Sequence, residues 1–293
     1  MFTRINPGES SRSRLILRRL APVAAVALSV LSAQSQNISL TDQNSAVQIN
    51  VGSQMGMHSW LVDGQQQLFQ QWFWYRVGGV GAEYSIDTIS APAFSATANS
   101  LSTTYTAPNF NINVLYTLRG APANSGVSDM TEQITINNTS GGLLSFHFFQ
   151  YSDFDLGGTV GGQVSSISRN TNPLSPNFNK FTEADQVNAL LTISETVTTP
   201  GADHGDAGLY PATLNSLNDL NSTTLADTLS SGPGDATWAL QWDLTLNASG
   251  PGSSVIISKD KHLTLLVIPE PSALALLSLA FAGFAFGRRQ KKA

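Results

Sequence analysis

Residues 110–118, FNINVLYTL, decide the fold class. Phe110, Ile112, Val114, Tyr116 and Leu118 fall on one side of an extended chain, and Asn111, Asn113, Leu115 and Thr117 on the other. A repeat of two is the side-chain period of a β-strand. One apolar face and one polar face belong to an antiparallel sheet with a core on one side and water on the other. The alternation returns with Met130, Glu132, Ile134 and Ile136, and again with Trp238, Leu240, Trp242, Leu244 and Leu246. Ser, Thr, Asn and Gly clusters separate these runs. Two such clusters, Asn137–Gly142 (NNTSGG) and Asn247–Gly252 (NASGPG), have the composition of hairpin loops. Ala212–Leu220 is the one segment with a helical pattern, a turn or two long. No βαβ alternation occurs, which disfavours parallel α/β folds. The expectation is all-β: a large antiparallel β-sandwich of roughly 12–16 short strands.

Composition narrows the function. The 293 residues are 41% hydrophobic, enough to bury a core, and include no Cys. That excludes disulfides, thiolate metal sites and a thiol nucleophile. Of the 15 basic residues, nine lie at the two ends: Arg4, Arg12, Arg14, Arg18 and Arg19, then Arg288, Arg289, Lys291 and Lys292. Residues 36–268 keep six basic residues against 18 acidic ones. A body so acidic repels a phosphate backbone, so no nucleic acid is expected as a partner. Basic ends flanking apolar stretches form a membrane-targeting pattern.

Residues 1–35 have the layout of a signal peptide. Arginines lead into the apolar run Leu20–Leu31, which is too short to span a bilayer comfortably. Ala33 and Ser35 then supply small residues before a cleavage point at Gln36. This predicts passage through the secretion translocon and removal by signal peptidase, leaving a body over residues 36–267.

Residues 268–293 form the most specific segment. Ile268 is followed by Pro269, Glu270 and Pro271, then by the uncharged run SALALLSLAFAGFAFG and the tail RRQKKA. The prolines hold Glu270 in an extended, accessible stretch. The 16 uncharged residues of 272–287 would make one short transmembrane helix of about 24 Å. Arg288, Arg289, Lys291 and Lys292 would stop it on the cytoplasmic side, leaving the body outside.

This tripartite end resembles the PEP-CTERM sorting signal of Gram-negative bacteria. The resemblance implies recognition of Pro269-Glu270-Pro271 by an exosortase, a membrane transpeptidase, and cleavage nearby. It further implies export across the inner membrane, transient anchoring there, and a final place at the cell surface or outside the cell. The family is associated with extracellular polysaccharide and biofilm. The strand layout also resembles the sandwiches of carbohydrate-active proteins, including mutarotase-like supersandwiches, which speaks to fold and not to activity.

Two segments of the body carry candidate chemistry. Gln67–Val77, QLFQQWFWYRV, is the densest aromatic patch. As a strand it sets Trp72, Trp74 and Arg76 on one face, a combination suited to stacking on sugar rings and bonding hydroxyls. A strand packed between two sheets, with Arg76 paired at its edge, fits the same residues. Leu143–Leu156, LLSFHFFQYSDFDL, sets His147, Asp153 and Asp155 on one face, where they could bind a metal or do acid–base work. Asp153-x-Asp155-x-Gly157 resembles the start of a calcium loop, but the twelfth position is Val164 rather than Glu. A solvated strand end fits as well. Asp203-His204-Gly205-Asp206 could ligate a cation or be a polar surface loop. No cofactor is expected, calcium being the one ion with a candidate site. A non-catalytic, exosortase-sorted surface protein is the leading expectation. A carbohydrate-active enzyme built on His147, Asp153 and Asp155, and a calcium-stabilised adhesion module, are the alternatives.

Overall fold

The computed structural model describes residues 36–265, and the expected signal peptide, sorting motif and apolar helix lie outside them. In chain order the body runs β1 (Asn37–Asp42), β2 (Ser45–Asn50), β3 (Gly56–Val62), β4 (Gln65–Gln66), β5 (Gln70–Val77), β6 (Tyr84–Ser85), β7 (Ala93–Ala96), β8 (Ser100–Thr106) and β9 (Phe110–Gly120). It continues with β10 (Ser128–Asn138), β11 (Leu144–Asp153), β12 (Gln163–Arg169), β13 (Phe181–Val187), β14 (Leu191–Thr199) and β15 (His204–Leu209). The helix α1 (Ala212–Leu217), β16 (Ser230–Gly234), β17 (Ala236–Leu246) and β18 (Ser254–Leu265) complete it. Eighteen strands exceed the expected number, because two-residue strands such as β4 and β6 leave no alternation to read. The helix ends three residues earlier than its pattern predicts.

The strands form two nine-stranded sheets. The first has the order β1-β2-β3-β5-β11-β17-β15, with β4 on β3 and β6 on β5. The second has the order β16-β12-β13-β14-β18-β10-β9-β8-β7. Pairing is antiparallel throughout apart from a short parallel contact of β3 with β5. The expected large antiparallel β-sandwich is therefore the fold observed.

Both predicted hairpin loops are something else. Asn137–Gly142 leads from β10 in the second sheet to β11 in the first, and Asn247–Gly252 leads from β17 in the first to β18 in the second. Because β10 neighbours β18 and β11 neighbours β17, the two crossings run side by side. Asn138 ties them together: its Nδ2 donates to Gly142 O (2.8 Å), Leu246 O (3.1 Å) and Asn247 O (2.8 Å). Loop composition marks a change of direction and does not say which sheet the chain enters next.

The space between the sheets is apolar and aromatic, and all five tryptophans are buried. Each indole N–H has an acceptor, as a buried indole requires. Trp60 donates to Ser128 Oγ, Trp72 to Ser85 Oγ, Trp74 to Asn218 Oδ1, Trp238 to Glu195 Oε2 and Trp242 to Pro200 O.

Four charges share that interior. Lys259 and Lys261 on β18 stand in phase with Ile257 and Leu263, and they meet Glu132 of β10 and Glu195 of β14 with no side chain exposed. Lys259 sits 5.0 Å from the centre of the Phe73 ring on the opposite sheet, while Gln150 and Trp238 of that sheet donate to Glu195. Burial raises a carboxyl, but the two lysines and these two donors outweigh it and hold Glu195 below its usual range. Burial lowers Lys259, against the pull of Glu132 and Glu195.

Candidate functional site

β11 places Asp153 at its end, and the chain turns at once. Leu156–Gly158 form a single 3-10 turn in which Gly157 (φ 71°) and Gly158 (φ 74°) take left-handed backbone that side-chain-bearing residues rarely adopt. The turn is fixed from outside by amides. Gln67 Oε1 accepts from Gly157 N (2.8 Å), Gln65 Nε2 donates to Gly157 O (2.9 Å) and Asn188 Nδ2 donates to Leu156 O (2.8 Å). From β13, Gln186 Nε2 donates to Phe154 O (2.6 Å). Asp155 is therefore carried on a rigid loop rather than on the strand.

The turn between β16 and β17 brings in Asp235, which the sequence did not single out. One carboxylate oxygen from each of Asp153, Asp155 and Asp235 lies within 4.8 Å of the others. They line a cavity of about 200 Å³ together with Phe69, Val160 and Tyr210. Phe69 and Tyr210 are half-exposed and meet edge to face, ring centres 6.1 Å apart, so an aromatic wall stands beside an acidic floor. Tyr210 is set there by its N–H, which donates to Asp235 O (2.9 Å).

Asp153 is the buried member, 1% exposed. Tyr151 Oη donates to its Oδ2 (3.1 Å), and its Oδ1 has no hydrogen-bond partner among the described residues. Burial, then the charge of Asp235, push its carboxyl up to about 7 against the Tyr151 hydrogen bond, with Asp155 adding to the rise. Burial and then Asp235 also raise Asp155, and burial raises Asp235. Three acidic groups have been gathered where each makes ionisation of the others harder.

His147 is not part of this cluster. It shares the strand face of Asp153, but six residues of extended chain separate them, roughly 20 Å. Its Nδ1 lies 2.6 Å from Asp243 Oδ1 on β17. Asp243 Oδ2 is 3.7 Å from His204 Nε2, His204 Nδ1 is 3.2 Å from Asp227 Oδ1, and Arg169 reaches Asp227 Oδ2 at 2.6 Å. Burial raises Asp243, but the side chains of Gln241 and His147 lower it more, leaving it below its usual range. The expected constellation of His147 with Asp153 and Asp155 thus divides in two: a surface chain of imidazoles and carboxylates, and the acidic cavity.

The remaining candidates also find different surroundings. Trp72 and Trp74 are 0% exposed and Arg76 is 4% exposed, so none of them offers a platform to a sugar. Arg76 pairs with the buried Glu83 and donates to Thr223 O (3.0 Å), and Trp74 is capped by Asn218, so the stretch after α1 covers this face. The packed-strand reading accounts for them, with Arg76 inside rather than at an edge. Asp203 and Asp206 do not converge either. Asp203 takes Lys180 and the N–H of Asp243, whereas Asp206 accepts from Thr213 Oγ1.

Comparison with solved structures gives the fold and no more. A putative aldose 1-epimerase from Escherichia coli K12 is 10% identical, over 79% of this chain and 99% of that one, with a TM-score of 0.52. A bacterial glucoamylase complexed with acarbose is 7% identical over 85% of this chain, with a TM-score of 0.50. The present chain spans 36% of that glucoamylase. No curated protein matches the sequence. The body is thus a two-sheet β-sandwich similar in fold to both. The chain carries a PEP-CTERM protein-sorting motif, matched at residues 267–290. That motif marks it as an exported protein processed by an exosortase at the membrane.

Proposed function

We propose that this is a non-catalytic surface protein, sorted by exosortase and held in extracellular polysaccharide. The carrying observation is the sorting motif at 267–290, directly after the last strand of the body. In this reading Glu270, between Pro269 and Pro271, is the recognised element. The apolar run and the basic tail hold it at the membrane until the body passes to the cell surface or the medium. The acidic cavity beside Phe69 and Tyr210 is the glycan-facing site, since exposed rings suit sugar C–H faces and carboxylates accept hydroxyl hydrogen bonds. The separation of His147 from Asp153 and Asp155 favours binding over acid–base turnover. The test is a polysaccharide co-sedimentation and glycan-array assay on the purified protein. Retention without release of new reducing ends is the expected result, and absence of binding to any extracellular polysaccharide of the host overturns it.

A second reading, a carbohydrate-active enzyme, draws on Asp153. A carboxyl raised to about 7 beside two further carboxyls is the arrangement in which one group donates a proton while another stays ionised. It predicts turnover that disappears in Asp153→Asn.

A further inference from the structure

The acidic cavity has a polar atom without a partner. Asp153 Oδ1 is sealed from bulk water, and among the described residues no donor reaches it. Tyr151 satisfies only the other oxygen. The groups gathered nearest, Asp155 and Asp235, are themselves acceptors. Among the described residues no Lys or Arg lines the cavity, and both lysines of β18 pair with Glu132 and Glu195 deep between the sheets. A buried carboxylate oxygen among other carboxylates is costly unless something positive stands between them.

We propose that Asp153, Asp155 and Asp235 bind a calcium ion at the foot of the Phe69–Tyr210 wall. Calcium takes oxygen ligands at about 2.3–2.6 Å, so oxygens on opposite sides of it are about 4.6–5.2 Å apart. The three carboxylates, all within 4.8 Å, fall inside that span. Each comes from a differently fixed element: a strand end, an amide-pinned turn and a tight strand connection. Three carboxylates supply fewer than the six to eight ligands calcium prefers, and the open side of the cavity leaves the rest to water or to paired hydroxyls or carboxylates of a sugar. That last step rests on the polysaccharide reading above, while the ion site stands on the cavity alone. It also resolves an electrostatic difficulty, since a body with 18 acidic and six basic residues would be repelled by an anionic polysaccharide without a bridging cation.

The experiment is calorimetric titration of the EDTA-stripped full-length protein with calcium chloride, with Asp155→Asn, Asp235→Asn and Asp243→Asn in parallel. One saturable site is expected, weakened at least tenfold in each of the first two variants and unchanged in Asp243→Asn, whose carboxylate lies in the histidine chain. Terbium bound in place of calcium should emit on tyrosine excitation in the parent and not in Asp235→Asn. Absence of saturable calcium binding by the parent overturns the proposal, as does parental affinity in both cavity variants. Calcium binding without polysaccharide retention would leave the site standing and defeat the functional reading. Polysaccharide retention by a parent protein that shows no saturable calcium binding would do the reverse.

Discussion

Lys261 Nζ lies 2.9 Å from Glu132 Oε2 with neither side chain exposed. The pair is half of a four-charge group that spans three neighbouring strands, β10, β18 and β14. Taking such charges out of water costs several kcal/mol per ion, and only their mutual attraction offsets it. Lys261→Met should therefore destabilise the body by roughly 3–5 kcal/mol, because Glu132 and Glu195 are left with one cation between them. Replacing all four by apolar residues of similar volume should cost much less. Guanidinium unfolding of the two variants checks the order, and a quadruple variant weaker than the single one would contradict it.

Asp153 sets a pH dependence. Its carboxyl is near 7 in the fold against an ordinary value of 3.8, so the native state holds a proton that the unfolded chain releases. Without divalent cations, stability should fall as pH rises from about 4 to 7 and level off above that, since the penalty is complete once the native group ionises. Asp153→Asn should then gain roughly 2–4 kcal/mol at pH 8 and almost nothing at pH 4. Thermal melts in EDTA at the two pH values measure this, and an equal effect at both would refute it.

Asn138 should be disproportionately sensitive for the last residue of a strand. Asn138→Ala removes three donated hydrogen bonds and orphans the N–H of Ser140, for a loss of roughly 1–3 kcal/mol. Asn138→Asp should be worse, because it points a charge at Gly142, Leu246 and Asn247 carbonyls. Urea midpoints for the two variants give the comparison.

Glu270→Ala should leave a precursor retained in the membrane with its C-terminus intact. Mass spectrometry of the fractionated protein decides it, and normal C-terminal processing would remove Glu270 from the recognition step.

The sheets were legible because alternation is local. Each period-2 run, from Phe110 to Leu118 or from Trp238 to Leu246, became a strand with the predicted face inward, although in β17 Thr237, Ala239 and Gln241 on the other face are covered too. Partner choice is not local, which is why NNTSGG and NASGPG have the composition of hairpin loops and yet cross between the sheets. The aromatic density of QLFQQWFWYRV announced burial or binding equally, and only the stretch after α1, some 140 residues on, decides for burial. Asp155 was visible as a candidate beside Asp153, but Asp235 sits in a Pro-Gly turn 80 residues away with no motif around it. The lysine pair was readable in principle: Ile257, Lys259, Lys261 and Leu263 share one phase, and charges in an apolar phase signal buried partners.

β17 lies between β11 and β15 in one sheet, and β18 lies between β14 and β10 in the other. Each sheet is consequently two separate pieces until the final thirty-odd residues of the body arrive as wedges. The strand that completes the second sheet ends at Leu265, two positions before the matched sorting motif begins, so the fold closes on the residues immediately ahead of the sorting signal.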